Sequence, residues 1–170
     1  MASKQASLRL SIATEGVRET LDAFKRLPKS ANDALRKRSF ELAEQLATKV
    51  AAAARSDTAQ SALMAVTVKP VRDRVPAIQA GGTRRVGRHH VPAFGILLGS
   101  EFGSNNRSGW YAGRQYTQSQ GRQYRPHRGR RSYWFFETAY QSQSEIMAAW
   151  EKAADDIQHE FTANPSGGPD

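Results

Sequence analysis

Leu8, Leu10 and Ile12 alternate with Arg9 and Ser11, the period-two pattern of a short strand buried on one face. Gly16 then supplies a turn. Across residues 17–27 the apolar positions Val17, Leu21, Phe24 and Leu27 recur every three or four residues, which puts them on one helical face, and Pro28 ends that helix. A second helix is expected from Ser30, with Ala34, Leu35, Leu42, Leu46, Val50 and Ala53 on its apolar face and neither Gly nor Pro before Arg55. A helix of about 25 residues spans roughly 37 Å, long for a small domain. The polar stretch 56–62 breaks the pattern.

The two β-branched segments 63–71 and 74–82 read as a hairpin, with Pro70 and Pro76 at strand ends and Arg72-Asp73-Arg74 between them. The apolar run 94–98, halted by Gly99, is expected to add a further strand. From 104 to 131 the chain is Gly, Ser, Asn, Gln, Arg and Tyr with almost no aliphatic residue, so nothing there drives packing; an extended loop is expected, mobile or ordered only by a partner. Phe136, Tyr140, Ile146, Met147, Trp150, Ala153, Ala154, Ile157 and Phe161 then form a helical stripe, and residues 163–170 a frayed tail. These elements predict one α+β domain over 1–162, in which a long N-terminal helix and an amphipathic C-terminal helix pack on a small antiparallel sheet.

Composition changes that picture in three respects. A chain of 170 residues buries roughly 70% of its unfolded surface in a single core, but only 39% of its residues are hydrophobic, a shortfall that partner subunits would make good. No apolar run reaches the roughly 18–20 residues of a membrane span, and the opening residues show no signal-peptide core, which predicts a soluble chain that is not exported. The absence of cysteine excludes disulfides, thiolate metal sites and thiol nucleophiles.

Charge is distributed unevenly. Residues 69–131 hold thirteen of the 25 Lys and Arg but only Asp73 and Glu101 of the 16 acids, so all of the net charge of +9 sits mid-chain, in a frame that is itself slightly negative. Such a field faces a polyanion or an acidic protein surface. Arg84-Arg85 and Arg88-His89-His90, among glycines that allow close backbone approach, either clasp phosphates or form a solvated loop. Tyr111, Tyr116 and Tyr124, interleaved with Arg114, Arg122 and Arg125, make either a base-stacking platform or a protein interface, since both use Tyr and Arg. His89, His90 and His127 lack an acidic co-ligand, which argues against a metal. Trp134, Phe135 and Phe136 are consecutive, so one helical face cannot bury all three. The stripe assigns Phe136 to the core and leaves Trp134 and Phe135 for a neighbouring subunit or the underside of the sheet. No phosphate loop, nucleophile elbow or paired-carboxylate pocket is present, and no enzyme and no cofactor is expected.

Two short motifs add a resemblance. Glu101-Phe102-Gly103-Ser104 is expected at a strand end, and Arg125-Pro126-His127-Arg128 precedes the helix led by Tyr133-Trp134-Phe135-Phe136. With the long helix near the N-terminus, this resembles the neck proteins of tailed bacteriophages. There a glutamate, aromatic, glycine, small-residue strand end is followed, after a loop, by arginine, proline and two aromatics leading into the C-terminal helix. The likeness covers roughly residues 31–160 in order of elements, but in residues only the two motifs. The loop between them is longer and more basic than the pattern, and the aromatics come six residues after His127.

The resemblance implies a subunit of a homo-oligomeric ring, six-fold or twelve-fold, in the virion neck between head and tail. Its neighbours would be connector and tail-terminator proteins, with double-stranded DNA passing through and no membrane. It implies a subunit or partner interface at Glu101, Phe102, Gly103, Tyr111, Tyr116, Tyr124, Arg125, Pro126, Arg128, Trp134 and Phe135. Contact with an acidic partner, or weakly with DNA, would fall to Arg84, Arg85, Arg88, Arg114 and Arg122. The alternative is a basic nucleic-acid-binding module built on the Arg/Tyr loop.

Overall fold

The structure is a computed structural model that describes residues 7–13, 15–104 and 124–163. Strand β1 (Ser7–Ser11) is followed by helix α1 (Val17–Phe24), which starts at Gly16 with φ 89°, a left-handed conformation glycine adopts at little cost. The long helix is α2 (Lys29–Asp57). Its buried row runs Ala31, Leu35, Ser39, Ala43, Ala47, Ala51 and Ala54, mostly at four-residue spacing, with Leu46 and Val50 beside it. Small residues along that row let neighbouring elements approach the helix axis closely. The stripe read from large apolar residues is displaced from it: Ala34, Leu42 and Ala53 are only half-buried.

The polar break after α2 is a capping box. Thr58 Oγ1 accepts from the Ser61 amide and Ser61 Oγ from the Thr58 amide, and the chain resumes as α3 (Ala59–Met64) and a 3-10 turn (Ala65–Thr67). The expected first strand therefore shrinks to β2 (Lys69–Val71), with Pro70 inside it. It pairs antiparallel with β3 (Ala77–Gly81), and β1 takes the other edge of β3, Leu8 opposite Ala80 and Leu10 opposite Ile78, giving the order β1-β3-β2. A second small ribbon, β4 (Arg85–Val86) and β5 (Val91–Pro92), leads into α4 (Ala93–Phe102).

Helix α4 corrects the expected third strand. Ile96, Leu97, Gly99, Ser100 and Glu101 are all buried, so the segment is enclosed on most sides and shows no amphipathic period that would mark it as a helix. The C-terminal stripe is two helices, α5 (Phe135–Gln141) and α6 (Gln143–Ala163). Its buried row is Phe135, Ala139, Ser142, Ile146, Trp150, Ala154 and Ile157. Because Ala139 and Ser142 carry that row through the α5–α6 junction, Phe136 and Tyr140 fall on the next one. Phe136 is half-buried and Tyr140 is 69% exposed, against the expectation that both are core.

Helices α2, α5 and α6 and the three-stranded sheet enclose a single core. One buried polar node joins α2, α6 and the β2–β3 connection. Trp150 Nε1 lies 2.9 Å from both Ser39 Oγ and the Arg74 carbonyl, and Ser39 Oγ donates to that carbonyl at 2.8 Å, which accounts for a serine in the buried face of α2. Among the described residues no helix is long and apolar enough to cross a membrane. Residues 105–123 and the 164–170 tail lie outside the described residues, and with them Tyr111, Arg114, Tyr116 and Arg122.

Candidate functional site

The last turn of α4 and the start of α5 meet through Glu101, whose side chain is fully buried. A helix begins with four amides that lack intrahelical partners. At α5 three of them are taken by this one carboxylate: the amides of Trp134 (3.3 Å) and Phe135 (2.8 Å) donate to Oε2, and that of Phe136 (3.1 Å) to Oε1. The Ser132 hydroxyl also donates to Oε1, while its oxygen accepts from the fourth amide, Glu137 N, at 2.9 Å. Glu101 thus caps a helix that its own N-cap residue, Trp134, cannot. Burial pushes the Glu101 carboxyl above its ordinary range; the hydrogen bonds from Ser132, Phe135, Phe136 and Trp134 oppose that shift without cancelling it.

The chain around this carboxylate is fitted as closely. Gly103 has φ 76° and ψ 179°, and a Cβ there would stand 2.4 Å from the Arg125 carbonyl and 2.5 Å from that of Pro126. Only glycine lets residues 124–127 lie against the end of α4 in this way. Ser104 N donates to the Arg125 carbonyl at 2.8 Å, forming a parallel bridge with Pro126. His127 Nδ1 is 2.9 Å from the Phe102 carbonyl, an acceptor, so the proton sits on Nδ1. Tyr133 N donates to the Glu101 carbonyl, and Tyr133 Oη to that of Pro126.

Arg125 packs over the Tyr133 ring at 4.9 Å and pairs with the largely buried Asp57 at the end of α2, and Arg128 stands 5.8 Å from the same ring. The Tyr124 ring lies against Gly99, where a Cβ would meet it at 2.9 Å. Residues 124–131 are therefore not part of a loose loop, as their composition suggests, but a wrap around the C-terminus of α4. The two resemblance motifs sit side by side in it, with a shift of register: Arg125-Pro126 pairs with Gly103-Ser104, and the helix is led in by Trp134-Phe135.

Trp134 and Phe135, expected at a subunit interface, are buried inside this subunit at 1% and 0% exposure. Trp134 precedes the helix with φ −144°, so helical angles do not apply to it, and its ring packs edge-on to Phe135 at 5.7 Å. Its Nε1 is buried without a hydrogen-bond partner among the described residues. Glu101 and Gly103 are likewise internal. Phe102 is half-buried and stacks on Phe136 at 6.1 Å.

Arg84, Arg85 and Arg88 are exposed on and beside the β4–β5 ribbon. Arg84 Nη1 donates to the Val66 carbonyl at 2.9 Å and Arg85 Nη1 to that of His90 at 2.7 Å, while Arg88 Nη2 is 3.4 Å from His89 Nε2. Each guanidinium keeps further donors for solvent or a partner. No three metal-ligating side chains cluster among the described residues. Sequence reasoning missed Ser132, Ser39 and Gly99, whose roles depend on partners distant in sequence; the pairing of buried acid with helix start gave no local signal. Compared with known proteins, the chain matches no family model, no curated protein and no solved structure.

Proposed function

We propose that this chain is a structural subunit of a homo-oligomeric ring in the neck of a tailed bacteriophage, joining head to tail around the passing DNA. The observation that carries this reading is the Glu101 clasp. The glutamate-aromatic-glycine motif and the aromatic lead into the C-terminal helix, 33 to 35 residues apart, are held together as one unit by a single carboxylate. Two weak sequence matches thereby become one structural feature, although the first closes helix α4 and not a strand as the resemblance implies, so the support lies in their being joined and not in the element that carries them. The carboxylate has its oxygens turned to four donors and no open face, which fits a structural role better than acid–base chemistry.

Light scattering on the purified full chain tests the reading. The expected result is a closed oligomer of fixed mass, seen as rings by negative-stain microscopy. A monomer at tens of micromolar that binds short duplex DNA tightly would support the nucleic-acid module instead, a reading favoured by the exposed guanidiniums of Arg84, Arg85 and Arg88.

A further inference from the structure

Beside the clasp lies an open groove of ≈ 710 Å³. Its floor is aromatic, made by Phe102 stacked on Phe136 and by Tyr140, and its rim is basic, made by His127, Arg130 and Arg131. Glu137 also borders it and keeps its negative charge, its carboxylate accepting from the neutral Gln141 Nε2 at 3.0 Å, so the two guanidiniums leave the rim net positive by one charge. Among the described residues Arg130 and Arg131 form no ion pair, and Tyr140 is left 69% exposed, the largest exposure among the bulky apolar side chains. An aromatic floor with an arginine rim has the composition of an interface centre.

The chain carries its own complement. Helix α6 holds five acids against Lys152, and its exposed side presents Asp155, Asp156 and Glu160, none ion-paired among the described residues. Several acids elsewhere are matched locally, Asp22 by Lys25, Asp33 by Arg36 and Glu41 by Arg38, whereas Glu15, Glu19 and Glu44 stand singly, so it is the clustering of three such acids on one helix side that marks α6. The segment 105–123 has three arginines and no acid, so charge disfavours it as the occupant.

We propose that the groove receives the acidic face of α6 from a second copy, and that this contact, repeated head to tail, is the one that closes the ring. The contact rests on the ring reading above and names its two surfaces. Groove and helix face are different patches of one subunit, so the contact is heterologous, the type that builds rings.

Charge reversal tests it on the full chain. Arg130→Glu with Arg131→Glu, and separately Asp155→Lys with Asp156→Lys, are each expected to weaken self-association by about two orders of magnitude with far-ultraviolet circular dichroism unchanged. Mixing the two variants one to one should restore assembly. Reversed groove then meets reversed helix, and native helix meets native groove, in alternation around the ring. If the parent assembles and both variants assemble equally well, or if the mixture stays monomeric, this interface is wrong while the ring reading survives. A parent that is monomeric throughout overturns both. Loss of duplex-DNA binding in the groove variant, with self-association untouched, would give the groove to nucleic acid.

Discussion

The Glu101 clasp and the β4–β5 ribbon use charge in opposite ways. At the clasp a single carboxylate, removed from water, holds three backbone amides and a hydroxyl, so its hydrogen bonds act at low dielectric and removing it strands buried donors. On the ribbon three guanidiniums stand in solvent, and each makes one local hydrogen bond that water could replace. The count of charges suggests that the arginines matter most, whereas burial assigns the fold to the lone acid and leaves the arginines to face a partner.

Removing the acid should therefore produce the largest effect. Glu101→Ala leaves the amides of Trp134, Phe135 and Phe136 buried without an acceptor, and is expected to cost about 3–5 kcal/mol in urea unfolding. Phe135→Ala belongs in the same range by cavity formation, about 3–5 kcal/mol, while the half-buried Phe136→Ala should cost about 1–2 kcal/mol. A cost below about 1 kcal/mol for Glu101→Ala, or Phe136 outranking Phe135, would break the contrast between clasp and surface.

Gly103→Ala comes next, at about 2–3 kcal/mol, because it combines a positive φ with a collision against the Arg125 and Pro126 carbonyls. Gly129 has φ 66° but nothing within 4 Å of a built Cβ, so Gly129→Ala should cost only about 1 kcal/mol. Equal costs at the two sites would mean that backbone strain, and not the close approach of residues 124–127 to α4, accounts for Gly103.

How far the sequence reveals this contrast depends on the range of the forces involved. β1 and α1 are legible with their faces, as Leu8 and Leu10 show in β1 or Val17 and Phe24 in α1. α2, the β2–β3 hairpin and a C-terminal helical segment are legible as elements, but not the exact row that α2 and α5 bury nor the short extent of β2. The apolar run of α4 reads as a strand because burial on most sides erases its period. Trp134 and Phe135 read as exposed because a stripe counted only from large apolar residues passes over Ala139 and Ser142. Of the candidate site, the residues are legible as motifs, but not their burial, since the partners of Glu101 lie 31 to 35 positions away.

A smaller effect separates the clasp by pH. The folded chain holds the Glu101 proton more tightly than the unfolded chain, where glutamate ionises near its ordinary 4.5. The extra protonation stabilises the fold fully below 4.5 and is lost as pH rises through the higher folded value. Urea midpoints of the parent relative to Glu101→Gln should fall over that window and level off above it. A parallel pH dependence in the two proteins would show that the carboxyl titrates as it does in the unfolded chain.

The smallest expected change in stability is at the ribbon. Arg84, Arg85 and Arg88 changed together to Gln keep long polar side chains and strand no buried group, so unfolding free energy should stay within about 0.5 kcal/mol of the parent. What should change is association. Ion pairing with an acidic ring or with phosphates is screened over roughly 10 Å at about 0.1 M salt, and every phosphate left without its arginine takes close to one unit off the slope of log affinity against log salt. Binding measured at two ionic strengths should thus give a weaker and flatter response in the triple variant. An unchanged slope with an intact fold would make these arginines ordinary solvated surface, and the partner-facing role would then rest on the Arg130-Arg131 rim alone.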